Sequence, residues 1–546
     1  MKSSLAAGLA SLLLAITLRA QGPPAAREGD RPNPHAGAAL FSHSDNCIAC
    51  HNNLSSPAGE DVSIGTAWRS TIMANAARDP YFYASVRRET LDHSSRSREI
   101  QDECAACHVP MAQKAAHSQG RLATLLPDAA APEPDGHDRV ARDGVSCTVC
   151  HQIASDGLGT ISSFNGNFRL PPVRPDGVRD VFGPFAVDTG RRTIMRSATG
   201  FEQVEAAHVR QSELCATCHT LITTAYDREG RVIGSLPEQM NYQEWRHSAF
   251  YGERRSCQTC HMPRAAGPVR VSSVLGENRE GLSRHAFVGG NAFMLRMLNR
   301  FRDALGVEAP ANELEATARL TEQQLRRDTA ALEVSAPRSV GAALEFDVTV
   351  RNLTGHKFPT GYPSRRAWLH VRVLADDGVT IFESGALTST GSIAGNDSDA
   401  DARAFEPHYD VVDSEDEVQI YESILGDIAS RPTTGLLTAT QYLKDNRLLP
   451  RGFDKATADP QIGVFGAARE DATFAGGADR VSYRVTPPSG RRWAKLEVEL
   501  IYQPIGYRWA HNLGDYKSGE TSAFLQFFRA MEQSTAVTLA SVILSN

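Results

Sequence analysis

All ten cysteines fall in five copies of one spacing: Cys47-Ile-Ala-Cys50-His51, Cys104-Ala-Ala-Cys107-His108, Cys147-Thr-Val-Cys150-His151, Cys215-Ala-Thr-Cys218-His219 and Cys257-Gln-Thr-Cys260-His261. Each reads C-x-x-C-H. Two thiols at this spacing can bond covalently to the vinyl groups of a haem, and the histidine that follows is set under the iron as its proximal ligand. Paired thiols can also hold zinc or cycle as a dithiol. Neither alternative requires histidine after the second cysteine, yet here it follows every time. With 10 Cys and 17 His in 546 residues, five complete copies are far beyond chance. The sequence predicts five c-type haems with their iron, and leaves no thiol for a disulfide or a cysteine-ligated zinc.

Iron held this way has a sixth position, and its occupant separates electron transfer from catalysis. Eight histidines lie outside the motifs in the same part of the chain: His35, His43, His93, His117, His137, His208, His247 and His285. That number is sufficient for five irons. A ligand needs ordered backbone behind it. His93, just ahead of the second motif, His208, seven residues before Cys215, and His285, in Ser283-Arg-His-Ala-Phe-Val-Gly-Gly290, are therefore the expected distal ligands. His117, His43 and His247 follow, and His35 and His137 sit in loop-like sequence.

Two further segments echo each other, Trp68-Arg-Ser-Thr-Ile-Met73 and Trp245-Arg-His-Ser-Ala-Phe250. Through these and the C-x-x-C-H motifs, residues 41 to 290 resemble the multihaem cytochrome c-554 and hydroxylamine oxidoreductase superfamily, where W-x-x-S-x-H commonly carries a distal histidine. The resemblance implies closely stacked haems and electron transfer, without naming a substrate. Met73 stands at the histidine position in one copy and is a candidate distal thioether, with a place in the core as the alternative. Phe250 stands there in the other and cannot bind iron, so the fifth motif is the expected site of an open position.

The elements that must position these groups can be read in order. Lys2, an apolar run from Leu5 to Leu18 and a small residue at Ala20 form a signal-peptide pattern over residues 1–20. Residues 21–40 read as a flexible lead-in, and residues 41–330 as a mainly helical and loop-rich pentahaem domain. The motifs recur at intervals of 57, 43, 68 and 42 residues, too irregular for a solenoid. Helical periodicity covers Asn291 to Leu305, and a second helix is predicted over Asn312 to Thr329 with Asn312 as its cap. From about residue 331 the period becomes two. Leu344, Phe346, Val348 and Val350 alternate with polar residues, as do Leu369, Val371 and Val373, and Leu496, Val498 and Leu500. The fold class is therefore multidomain, with an all-β, sandwich-like domain over 331–546 that ends in a helix near 522–533 and an apolar tail.

That second domain resembles the C-terminal region of exported multihaem proteins of the cytochrome c family. Gly355-His-Lys-Phe-Pro-Thr-Gly361, Arg365-Arg-Ala-Trp368 and Tyr442-Leu-Lys-Asp-Asn-Arg-Leu-Leu-Pro450 carry the likeness. His356 is expected to make a structural hydrogen bond, with reach to a haem as the alternative. Asn396, Asp397, Asp399 and Asp401 form an oxygen-rich loop that could take calcium, although it lacks the glycine and the closing glutamate of an EF-hand.

A formal charge of -7 argues against a nucleic-acid partner, and no run after the signal pattern is apolar enough to span a bilayer. The reading is an exported, periplasmic or extracellular electron carrier that meets redox partner proteins. The alternatives are an oxidoreductase for a small nitrogen or sulfur compound at one five-coordinate haem, and a subunit that self-associates into a haem-stacked filament or complex. Five intact motifs predict a ratio of five haems per chain in a pyridine haemochrome assay on matured protein. A ratio of four or fewer contradicts the count.

Overall fold

The computed structural model describes residues 39–127 and 133–546. The expected signal peptide, His35 and all but the last two residues of the lead-in lie outside them. From residue 39 to 330 the chain is built of short helices and loops with three two-stranded sheets. Helix α1 (Pro80–Asp92) begins where the Asp79 carboxylate accepts the amide hydrogens of Tyr81 and Phe82, with proline at the first helical position. Helix α2 (Ser97–His108) ends on the second motif, and the other motifs also include or adjoin short helical turns. Helical geometry explains the C-x-x-C spacing. Residues i and i+3 share one face, so both thiols point the same way.

Helix α3 (Ala292–Arg300) is capped by Asn291, whose side chain accepts the Met294 amide. Helix α4 (Ala311–Asp328) starts one residue before the sequence pattern indicates. Pro310 precedes it with φ already at -59°, so the backbone enters the helix at Ala311 and Asn312 falls inside the first turn instead of capping it.

Strands begin at Ala330. The main ones are β1 (Ala330–Val334), β2 (Ala343–Asn352), β3 (Arg366–Ala375), β4 (Thr380–Ser384), β5 (Ala478–Val485), β6 (Trp493–Gln503) and β7 (Val537–Ser545). One five-stranded sheet contains β5-β2-β1 and the other contains β4-β3-β6-β7. Strict alternation turns one row of each sheet inward. Phe346 lies opposite Tyr483 and Val348 opposite Val481, while Leu369, Val371 and Val373 face Leu500, Val498 and Leu496. These rows share one core. The outward residues pair by charge, as Arg372 does with Glu497 and Arg484 with Glu345. The apolar tail forms an edge strand of this sheet: β7 pairs with β6 and buries Leu539, while Ile543 stays exposed.

Packing crosses the change from helix to strand. Helix α5 (Gly519–Arg529), capped by Ser518, leaves the sheets and lies on α1 and α3. Phe524 meets Tyr81 with ring centres 5.0 Å apart, and Phe528 meets Phe293 edge-on at 5.7 Å. Met294 and Met297 belong to this core, which is their role. Arg87 on α1 grips the Glu520 carboxylate with two hydrogen bonds. Truncating the fully buried Phe528 removes contacts to both halves at once. Phe528→Ala should lower the unfolding free energy by roughly 3–5 kcal/mol, read from denaturant curves followed by far-UV circular dichroism. A loss below about 1 kcal/mol contradicts this packing.

Candidate haem centres

One continuous cavity of about 1380 Å³ is lined by all five motifs. Its wall comes from the N-terminal helices and loops on one side, and on the other from residues 353–362, Tyr502 and Ile505 of the β-rich part. Three motif histidines are aimed by the same device. The Nδ1–H of His51 donates to the Val271 carbonyl at 2.6 Å, that of His151 to Phe182 at 2.5 Å, and that of His261 to Val288 at 2.5 Å. Holding Nδ1 in this way fixes the tautomer and leaves Nε2 as the free donor, which is how proteins orient imidazole toward a metal. Burial also lowers the proton affinity of His51 and His151. His108 and His219 are pushed down to about 4, so both stay neutral at physiological pH.

The motifs are neighbours in a definite order. The thiols of Cys47 and Cys147 lie close enough to shift each other's proton affinity, as do those of Cys107 and Cys218, and of Cys215 and Cys257. Cys150 also feels the charge of Cys218. The first motif therefore adjoins the third, the third adjoins the fourth, and the second and fifth both adjoin the fourth. All ten cysteines are free, so the structure spends none on a disulfide.

Only two imidazoles outside the motifs line the cavity among the described residues, His285 and His356. His285 lies opposite His151, with ring centres 6.3 Å apart and planes within 18°. His356 lies opposite His261 at 6.3 Å and 15°. In each added ring Nδ1 is again tied to a carbonyl, Ser283 at 3.0 Å and Lys357 at 2.9 Å. Burial pushes His285 down to about 3 and His356 to about 4. A metal–imidazole bond of about 2.0–2.1 Å, plus about 1.1 Å from nitrogen to ring centre on each side, separates two axial imidazoles by roughly 6.3 Å. The donor set fits covalent haem with histidine on both faces at the third and fifth motifs. Across from the fifth motif, where Phe250 stands in the histidine position, the facing ring is His356 of the β-rich part.

The other expected ligands are placed differently. His93 has both nitrogens engaged, Nδ1 donating to Asp227 O at 3.1 Å and Nε2 meeting the Thr438 hydroxyl at 3.2 Å. His208 spends Nε2 on the Ile153 carbonyl, and His117 spends it on the Asp102 carboxylate at 2.8 Å. His43 sits between Asp45 and Asp143, while His247 is exposed and bonds back to Gln243. None of these lines the cavity, and His93, His208 and His117 each engage at least one ring nitrogen with a protein partner instead. Ordered backbone, the criterion that favoured them in sequence, says nothing about which nitrogen is free. Met73 does line the cavity.

The oxygen-rich loop spreads its carboxylates among protein partners. Asp399 is held by both guanidinium nitrogens of Arg366 at 2.8 Å, Asp401 pairs with Arg403, and Asp397 is exposed, so the carboxylates turn to separate partners. A cluster that sequence reading missed, His408 with Asp471 and Asp479, is internally satisfied at its ring: Nδ1 accepts from Gln419 and Asn446, and Nε2 donates to Asp471.

Beside the second motif the cavity wall is acidic and phenolic. Glu89, Glu103, Glu238, Tyr81 and Tyr362 line it there. Burial first, then the charges of Glu103, Glu238 and Glu89, push the Cys104 thiol up. Burial raises Glu238, 4% exposed, to about 8.

No protein-family model matches the chain, and no curated protein matches it in sequence. Among solved structures, a penta-haem cytochrome c552 from Thermochromatium tepidum is similar with a TM-score of 0.53, covering 93% of this chain and 99% of that one at 16% sequence identity. At that identity the likeness is one of fold. Over nearly its whole length the chain shares the fold of a multihaem c-type cytochrome.

Proposed function

We propose that this chain is an exported pentahaem cytochrome that relays electrons, with Cys47, Cys50, His51, Cys104, Cys107, His108, Cys147, Cys150, His151, Cys215, Cys218, His219, Cys257, Cys260 and His261 as its attachment residues. The observation that carries the reading is that all five motifs line one cavity, with His285 set across from His151 at axial spacing. Bound haem supplies a one-electron centre at each motif. The protein supplies neutral, pre-oriented imidazoles, which cost no proton movement when an electron arrives. Neighbouring thiols order the sites as first, third, fourth, with the second and fifth branching from the fourth. The residues from 331 onward act as a sandwich-like wall of this chamber. Redox proteins are its partners, and export follows from where c-type haem is attached. His285→Ala should turn one low-spin haem high-spin in low-temperature EPR, with five haems still bound. An unchanged spectrum removes His285 as a ligand.

A second reading, a reductase or oxidase for a small nitrogen or sulfur compound, is favoured by the acidic wall beside the second motif, where no added imidazole faces His108 among the described residues. Glu238, raised to about 8, keeps its proton at neutral pH and is placed to donate it. Protonation is lost as pH rises through that value, so turnover of nitrite, hydroxylamine or sulfite should fall above about pH 8, and Glu238→Gln should remove that dependence. Reduced protein that is inert to all three compounds but exchanges electrons rapidly with redox proteins leaves the carrier reading alone.

A further inference from the structure

We infer that the β-rich half of the chain completes the fifth haem site: His356 is the distal iron ligand opposite His261, and a buried ion network spanning both halves holds it there. The inference rests on the pentahaem reading above and adds a ligand from a region that has no attachment motif.

His356 follows β2 in the loop Gly355-His-Lys-Phe-Pro-Thr-Gly361. Asn352, at the end of that strand, donates from its amide to the carbonyls of His356 at 2.8 Å and Leu448 at 2.9 Å, so the loop is tied to the segment 442–450. The next residue carries the charge. Lys357 is fully buried, and its ammonium donates to Asp445 at 2.7 Å and to the Gly463 carbonyl at 2.8 Å. Asp445 also accepts two hydrogen bonds from Arg447, at 2.9 and 2.8 Å. Arg447 reaches 3.1 Å across to Glu244, which is itself fully buried on the helix Asn241–Arg246 of the other half. The second oxygen of Glu244 accepts the Lys357 amide at 3.2 Å and the Thr360 hydroxyl at 2.5 Å.

Four buried charges are costly to desolvate, and replacing such groups by apolar ones is often neutral or better for stability. Their value is in register. Glu244 meets the residue that follows His356, one residue before Trp245 and six before Phe250, on the segment leading into the fifth motif. The network therefore fixes His356 against the helix that adjoins its partner site.

Phe250 explains why the ligand comes from so far along the chain. It occupies the place where the W-x-x-S-x-H pattern carries histidine, and its ring supports the loop instead. A Cβ added to Gly355 would lie 3.2 Å from Phe250 Cγ, so glycine is the residue that lets the loop rest on that ring. One motif's missing imidazole and one distant loop's buried imidazole are two parts of a single site.

The test uses full-length matured protein. His356→Ala should keep five haems by pyridine haemochrome assay while about one haem in five changes from low-spin to high-spin in EPR, and added imidazole should restore the low-spin form. His356→Met should remain six-coordinate and gain a methionine charge-transfer band, which covers the case in which the alanine variant does not mature. Asp445→Asn, which loosens the loop without touching the cavity, should give a mixed spin state that imidazole also corrects. A wild-type spin state in His356→Ala, or a His356→Met protein without the new band, overturns the assignment of His356. Wild-type protein without covalent haem would instead overturn the pentahaem reading itself.

Discussion

A buried imidazole presents one nitrogen usefully only if the other is held. That constraint organises this molecule. His51, His151, His261, His285 and His356 each fix Nδ1 on a main-chain carbonyl, and burial keeps at least four of them neutral. Four of the five carbonyls lie outside the helices and ladder strands, and the fifth, Phe182, sits in the short strand Arg179–Gly183, which gives the irregular connections between motifs a purpose. Their paths are set by the need to return a carbonyl to each ring. A helical turn then brings two thiols to the same side, and the cavity collects the result.

The same logic accounts for the β-rich part. Its two sheets have a self-consistent core, yet α5 packs on α1 and α3, and the loop after β2 reaches the cavity. Shared packing is apolar at one contact and ionic at the other. The apolar contact supplies stability, since burying Phe524 and Phe528 removes large rings from water. The ionic contact, from Glu244 through Arg447 and Asp445 to Lys357, supplies position at little net gain in stability. Both are needed if a ligand from one half is to meet a site in the other.

Much of this was legible from residue types alone. The motifs marked thiols and imidazoles that line one cavity because their spacing is local, and the strands were legible because a period of two is local as well. The periodicity of helix α3 was legible for the same reason, although the pattern ran on to Leu305 where the structure ends α3 at Arg300 and forms a separate short helix over Arg302–Leu305. The rings that face the motif histidines were legible only in part: His285 was expected and lies opposite His151, while His356 was only the alternative reading. His93 and His208 stand close to motifs in sequence but spend their nitrogens on Asp227, Thr438 and Ile153. His356 stands 95 residues from His261 in sequence and meets it in space. Phe250 was the available signal: a histidine missing from an otherwise intact pattern asks for a substitute, and Gly355-His-Lys-Phe-Pro-Thr-Gly361 was already singled out as a fixed loop. For the aspartates of 397–401, composition shows oxygen atoms without the arginines that claim them.

The central claim is that five irons occupy one chamber and that two of them sit between paired imidazoles from different parts of the chain. An anomalous difference map from crystals of the matured protein, collected at the iron absorption edge, tests it most directly. The account predicts five peaks along the cavity, one between His151 and His285 and one between His261 and His356. Fewer peaks, or either imidazole pair without iron between its rings, would contradict it.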